Sequence, residues 1–171
     1  MSLLTSLGLS PTPLGTSASI PNYGPAALIM NFIFAYGLLS SRTLKQYHGI
    51  DHNVSPREDL SKYGPAAVQS GKITQSTLDM LKRNESAHAN AVENYTLLVA
   101  AVTMASHAGV ENVSVNRAVL GYTLARVGYA VVYLFVGADR PKLSQLRGMF
   151  WWTGNLCCLG LLYRAGGLLS S

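Results

Sequence analysis

Four stretches of this chain are apolar and close to the length of a bilayer crossing: about residues 25–41, 87–107, 115–136 and 143–169. A helix needs about 20 predominantly apolar residues to cross roughly 30 Å of hydrocarbon. In that medium only helices and closed barrels satisfy their own backbone groups. Read as helices, the four stretches predict an all-α fold, an integral membrane four-helix bundle that takes residues 1–171 as a single domain. Composition points the same way: 49% of residues are hydrophobic and 12% charged, about half the usual charged share of a soluble domain. None of the stretches is purely apolar, and the last three each carry a charge. That predicts a bundle with a polar interior rather than four lipid-facing rods.

Basic residues are distributed unevenly between the connections. Residues 42–83 hold Arg42, Lys45, Arg57, Lys62, Lys72, Lys82 and Arg83, and the approach to the fourth stretch holds Arg140, Lys142 and Arg147. Residues 1–24 have no Lys or Arg, and the turn between the second and third stretches has only Arg117. The positive-inside rule puts both basic connections in the cytoplasm and both termini on the other side. The N-terminus lacks a basic n-region and a sustained apolar core, so it does not read as a cleaved signal peptide, and the endoplasmic reticulum is the default location. The net charge of +5 is not gathered into a basic stripe interleaved with aromatics, so nucleic acid is not an expected partner.

Residues 45–80 are polar and too long for a tight helix–helix turn, and loops of that length are often locally ordered or functional. Tyr-Gly-Pro-Ala-Ala occurs at 23–27 and again at 63–67, which is either coincidence or a shared helix-start signal. Asn112-Val113-Ser114 is a glycosylation sequon on the expected non-cytoplasmic side. Adjacent Cys157 and Cys158 suit neither a disulfide nor, alone, a zinc site, and read as packing residues. No metal is expected: His88 reads as a helix-interface residue, and His48 and His52 as solvated loop residues.

The residues that carry chemistry begin at Asn90, Glu93 and Asn94, spaced i, i+3 and i+4 at the mouth of the second stretch. An ionisable group inside a membrane helix costs roughly 2.5–3.5 kcal/mol on insertion scales and is a functional-site hypothesis by default. The third stretch sets Tyr122, Arg126, Tyr129 and Tyr133 at intervals of four, three and four, one guanidinium flanked by three phenols. The fourth opens with Arg147 and Trp151 one turn apart. Charge balance predicts that Glu93 faces Arg126 or Arg147 inside the bundle, either at a functional site or as an ion pair that sets helix register.

In Ala87-His88-Ala89-Asn90-Ala91-Val92-Glu93, in Ala125-Arg126-Val127-Gly128-Tyr129 through Tyr133, and in Asp139-Arg140-Pro141, Leu146-Arg147-Gly148 and Trp151-Trp152, the chain resembles the membrane-associated proteins in eicosanoid and glutathione metabolism, the MAPEG family. Pro56-Arg57-Glu58-Asp59 is similar to a loosely spaced version of the family's Pro-Glu-Asp element. The resemblance covers about residues 25–169. It implies a homotrimer that holds glutathione at the cytoplasmic end of clefts between protomers, with Arg42, Asn90, Glu93, Arg126, Tyr129 and Tyr133 as ligand contacts. Arg147 then lies near the sulfur, and Arg147, Glu93 and Tyr133 are the expected catalytic groups. The chain departs from many glutathione-using members at Ser86 and Ala89, where they carry basic residues, and at Trp151, where they often carry tyrosine. The implied activity is a membrane-embedded glutathione-dependent transferase or isomerase acting on a lipophilic small molecule amid membrane lipids. A glutathione-independent isomerase or cyclase of a hydrophobic metabolite, or a non-catalytic lipid-binding protein, remain the alternatives.

Overall fold

Gly-Pro pairs start helices in this chain, because proline at the first helical turn gives up an N–H that has no helical partner there anyway. The computed structural model describes residues 2–11, 19–136 and 141–170, and among them every regular element is helical. A short α1 (Leu3–Ser6) precedes α2 (Gly24–Phe32), which continues as a wider π-type winding over Ile33–Leu38. Then come α3 (Ser41–Tyr47), α4 (Asp59–Lys62), α5 (Gly64–Gln69), α6 (Gln75–His107), α7 (Asn112–Phe135), α8 (Pro141–Ser144) and α9 (Leu146–Leu169). The repeated pentapeptide opens α2 and α5, so both copies are helix starts. Both glycines also lie against α6. A Cβ at Gly24 would come within 2.8 Å of Val102 Cγ1, and one at Gly64 within 2.6 Å of Leu78 Cδ1.

Four helices form an up-down-up-down bundle, as the paired residues show. Between α2 and α6, Gly24 lies by Val102, Ala35 O accepts from His88 Nδ1 at 3.0 Å and Leu39 O from Asn84 Nδ2 at 3.3 Å, so one helix rises as the other falls. The π winding places these two carbonyls within reach of α6 side chains. Between α6 and α7, Asn90 meets Arg126 and Arg83 meets Tyr133. Between α7 and α9, Gly121 meets Cys157 and Gly128 meets Phe150. Asn31 Nδ2 donates to Thr123 Oγ1 at 2.8 Å, which sets α2 parallel to α7. The start of α2 and the end of α9 therefore lie at one end of the bundle.

The central core joins Leu98, Ala101, Val102 and Ala105 of α6 to Val115, Val119 and Tyr122 of α7 and Cys158, Leu161 and Ala165 of α9. Small residues at these contacts let the helix backbones approach closely, the usual source of cohesion where water does not drive packing. The long polar connection is ordered. Helix α6 starts at Gln75, well before its apolar stretch, with Thr74 Oγ1 accepting from Thr77 N at 3.1 Å. Its first turns place Leu78 and Leu81 against Ile50, Leu60, Ala67 and Ile73 in a second, smaller core. At 33 residues the helix is about 50 Å long, more than a hydrocarbon layer needs.

Two helical stretches, Gly24–Tyr47 and Asn112–Phe135, are long and apolar enough to cross a membrane, where the sequence predicts four. Helices α6 and α9 have the length, but their polar and charged residues keep them below that measure. The sequon asparagine, Asn112, is half-buried at the first turn of α7, and its Nδ2 donates to Ile20 O at 2.8 Å. The nitrogen that a glycan would occupy is thus engaged in the protein's own packing.

Candidate functional site

The polar face of α7 builds the site from the inside outward. Arg126 is 3% exposed and packs beside Gly154 on α9, where a Cβ would stand at an ordinary contact distance of 3.7 Å from Arg126 Cδ. Its Nη2 donates to Asn90 Oδ1 at 2.6 Å. Asn94 Nδ2 donates to Asn90 O at 3.1 Å and lies 3.4 Å from Asn90 Oδ1, which fixes the amide that receives the guanidinium. Arg126 Nε and Nη1 are buried without a hydrogen-bond partner, and no carboxylate among the described residues lies in ion-pair range of the guanidinium. Buried cations are normally paired, so an uncompensated one carries an energetic cost.

From Arg126 a stack of alternating chemistry leads outward. The guanidinium carbon sits 4.6 Å from the Tyr129 ring centre, Tyr129 is 5.2 Å from Tyr133, and Arg147 lies 4.5 Å over the far ring. Cation–ring contacts of this kind contribute from about 0.5 to 2 kcal/mol as they become desolvated. Arg147 Nε donates to Ser144 O at 3.0 Å, which orients its fork. The outer end of the stack opens into a cavity of about 450 Å³ lined by Tyr129, Tyr133, Ser144, Gln145, Arg147, Gly148 and Trp151. Arg83 on α6, which the sequence reading left unassigned, holds the backbone behind it. Its Nε donates to Tyr133 O at 3.1 Å, where the C-terminal turn of α7 leaves carbonyls free.

Glu93 belongs elsewhere. It is exposed and makes no hydrogen bond or ion pair among the described residues; it faces neither Arg126 nor Arg147, contrary to the charge-balance expectation. The reason is helical geometry: successive residues turn by about 100°, so while Asn90 faces Arg126 on α7, Glu93 is rotated about 60° from it, to the side away from Asn94. There it lines a second cavity, about 440 Å³, with Ser41, Arg57, Glu85, His88, Ala89 and Val92. Arg42 lines neither cavity. Its Nε and Nη2 fork onto Asp51 at 3.1 and 2.8 Å, and Nη2 also donates to Asn53 Oδ1 at 2.6 Å. That guanidinium holds the Asp51 carboxyl below the usual carboxylate range. Asp139 and Arg140 lie outside the described residues.

The ordered connection contributes one further cluster that the sequence did not reveal. Lys45, 1% exposed, donates to the Pro56 carbonyl and to Glu85 Oε1 at 3.0 Å, with Asp59 Oδ2 at 3.7 Å. Fully buried Asp59 also accepts from His52 N at 3.1 Å and faces His52 Nδ1 at 3.2 Å. His52 is therefore paired and stacked on Tyr63 at 3.9 Å rather than merely solvated. Leu78 and Leu81, one helical turn apart, could have pointed to the small core, but nothing local marks Lys45 as buried.

A family model described as MAPEG family matches residues 23–167. No curated protein and no solved structure matches the chain.

Proposed function

The chain belongs to the MAPEG family, membrane-integral proteins that are generally glutathione transferases and isomerases, and from that premise we propose that it is a membrane-embedded, glutathione-dependent transferase or isomerase acting on a lipophilic small molecule. The observation that carries the reading is Arg126, a buried cation with two unpaired nitrogens at the inner end of a stack that opens into a cavity. A guanidinium so placed suits a ligand carboxylate, which its fork can take through two parallel hydrogen bonds. Glutathione supplies two carboxylates and an ammonium for such groups, and a thiol whose ionised form is the attacking nucleophile.

Asn90, itself fixed by Asn94, holds Arg126 in place, and the Tyr129 ring lies against its guanidinium. Arg147, at the open end, stabilises negative charge on a sulfur or oxygen beside it and so favours a thiolate. The Tyr133 hydroxyl can donate a hydrogen bond to the same developing charge. Glu93 supplies the complementary acceptor for an ammonium, but from the other cavity.

That separation supports assembly. A site that needs both the Arg126–Arg147 stack and Glu93 is incomplete in one protomer and is completed where the α6 face of one copy meets the α7–α9 face of the next. The exposed face of α6 carries Ser86, Ala89, Glu93, Thr96, Ala100 and Thr103, alternately three and four residues apart. Such a seam of small residues lets helices pack closely in a bilayer. The reading is accordingly a homotrimer of four-span protomers, with both termini on the non-cytoplasmic side of the endoplasmic reticulum membrane. Trp151, a donor-only indole on the cavity wall, favours the second reading, a glutathione-independent isomerase.

Calorimetric titration of the detergent-solubilised protein with glutathione separates the two. The first reading expects a Kd below about 1 mM, that is, more than roughly 4 kcal/mol of binding free energy. It also expects turnover to be abolished by Arg147→Ala and by Glu93→Gln with the assembly size unchanged. An absence of binding, or turnover indifferent to glutathione, overturns it.

A further inference from the structure

The cavity that holds Glu93 contains an opposite charge that the stack does not use. Arg57 is exposed, makes no hydrogen bond or ion pair among the described residues, and lines the same wall as Glu93. The two do not approach within ion-pair distance, so each presents its charge to the space between them. Glu85 does not neutralise Arg57, because it is engaged by Lys45 at 3.0 Å. His88 is turned to α2, where its Nδ1 donates to Ala35 O at 3.0 Å. On the helix itself Ser86 and Ala89 bring no cation to this face, and Ala89 leaves the wall open.

Arg57 is also held in position. Lys45 donates to the carbonyl of Pro56, the residue before it, stands 3.7 Å from Asp59, two residues after it, and grips Glu85 on α6. This three-way latch fixes the loop on the helix that carries Glu93. A cavity walled by one free carboxylate and one free guanidinium, too far apart to pair, is complementary to a group that carries an ammonium and a carboxylate on the same small fragment. We propose that Arg57 is a ligand-binding residue of this cavity, receiving the carboxylate of an amino-acid group whose ammonium faces Glu93. For the identity of that ligand the assignment rests on the glutathione reading, since the γ-glutamyl end of the tripeptide is such a group. For the chemistry it rests on the cavity alone.

The test uses the full chain in detergent and two probes: glutathione, and γ-glutamylglycine, which has the amino-acid end but no thiol. Arg57→Gln is expected to weaken both by tenfold or more, and Arg57→Lys to retain most of the affinity. γ-Glutamylglycine amidated at the carboxyl beside its ammonium is expected to bind the wild type as weakly as the acid binds Arg57→Gln, and to lose nothing further in that variant. Arg57 has no protein partner, so the substitution leaves folding intact, which an unchanged unfolding midpoint checks. Glutathione binding that ignores Arg57→Gln overturns the assignment while leaving the proposed function standing. Arg57-dependent binding of γ-glutamylglycine without glutathione binding supports the assignment and sinks the proposed function. Failure of the wild type to bind either probe, or equal binding of acid and amide, overturns the assignment.

Discussion

Arg126→Met is expected to make the ligand-free protein more stable and the ligand-binding protein useless. Within the chain the guanidinium gains one charge-assisted hydrogen bond, to Asn90 at 2.6 Å, of about 1.5–3 kcal/mol, and a ring contact with Tyr129 of about 2 kcal/mol at most. Against these stand two buried donor nitrogens without partners, at about 1–3 kcal/mol each, and a desolvated charge with no counter-ion. Replacing even paired buried ions by apolar residues of similar volume is often neutral or stabilising by about 1–4 kcal/mol. Methionine fills most of the space, and Asn90 Oδ1 keeps its contact with Asn94 Nδ2 at 3.4 Å, so the variant orphans no acceptor. The balance favours Met by about 1–3 kcal/mol, or about 2–4 °C per kcal/mol for a chain of this size. Glutathione at a hundred times its Kd then stabilises the wild type by about 2.7 kcal/mol and the variant by nothing, so the gap closes by that amount and the order of the midpoints reverses for any ligand-free advantage below it. Thermal unfolding in detergent, with and without glutathione, reads both. A ligand-free Arg126→Met that melts below the wild type refutes the reasoning, because Arg126 would then be contributing stability through a partner that a single protomer lacks.

Gly128→Ala tests the helix contact that sets the α7–α9 register. The new Cβ would lie 2.6 Å from Phe150 Cε1, well inside the ~3.5–4.0 Å of an ordinary carbon contact. The expected loss of about 1–3 kcal/mol from overpacking outweighs the gain of about 1 kcal/mol in helix propensity, and adding Phe150→Leu restores most of it. Unfolding midpoints of the single and double variants decide the matter, and a single variant as stable as the wild type counts against the close approach. The Arg42–Asp51 clamp predicts a pH effect. Because the folded-state pKa of Asp51 is depressed, its stabilisation is present above the ordinary Asp value of about 3.9 and fades as pH falls through the lower folded value. Hydrogen exchange corrected for intrinsic rates is expected to show residues 48–60 loosening below about pH 4, and Asp51→Asn to loosen them similarly at neutral pH. Equal protection in variant and wild type at neutral pH contradicts this.

The helices were legible because their signals are local. Gly-Pro pairs mark the starts of α2 and α5, and the four-three-four spacing of Tyr122, Arg126, Tyr129 and Tyr133 puts them along one side of α7, where the structure stacks the last three with Arg147. The same logic failed for Glu93. Spacing of i, i+3 and i+4 groups Asn90, Glu93 and Asn94 on a face wide enough to reach two neighbours, and the helix splits them between α7 and the outer cavity. Arg42 read as a ligand contact from the resemblance, whereas its fork is engaged by Asp51, nine residues on and across a turn.

The sequence by itself determined which stretches are apolar, the Gly-Pro starts of α2 and α5, and that a guanidinium, phenols, amides and a carboxylate lie on the same few helices, all consequences of neighbours within about one turn. Only the tertiary structure decided which charges are satisfied. Lys45 is buried because Pro56, Asp59 and Glu85 converge on it from three segments, while Arg126 is left with two unpaired donors because only Asn90 reaches it. Pairing depends on the distance between side chains from different helices, and no spacing along one helix encodes that distance.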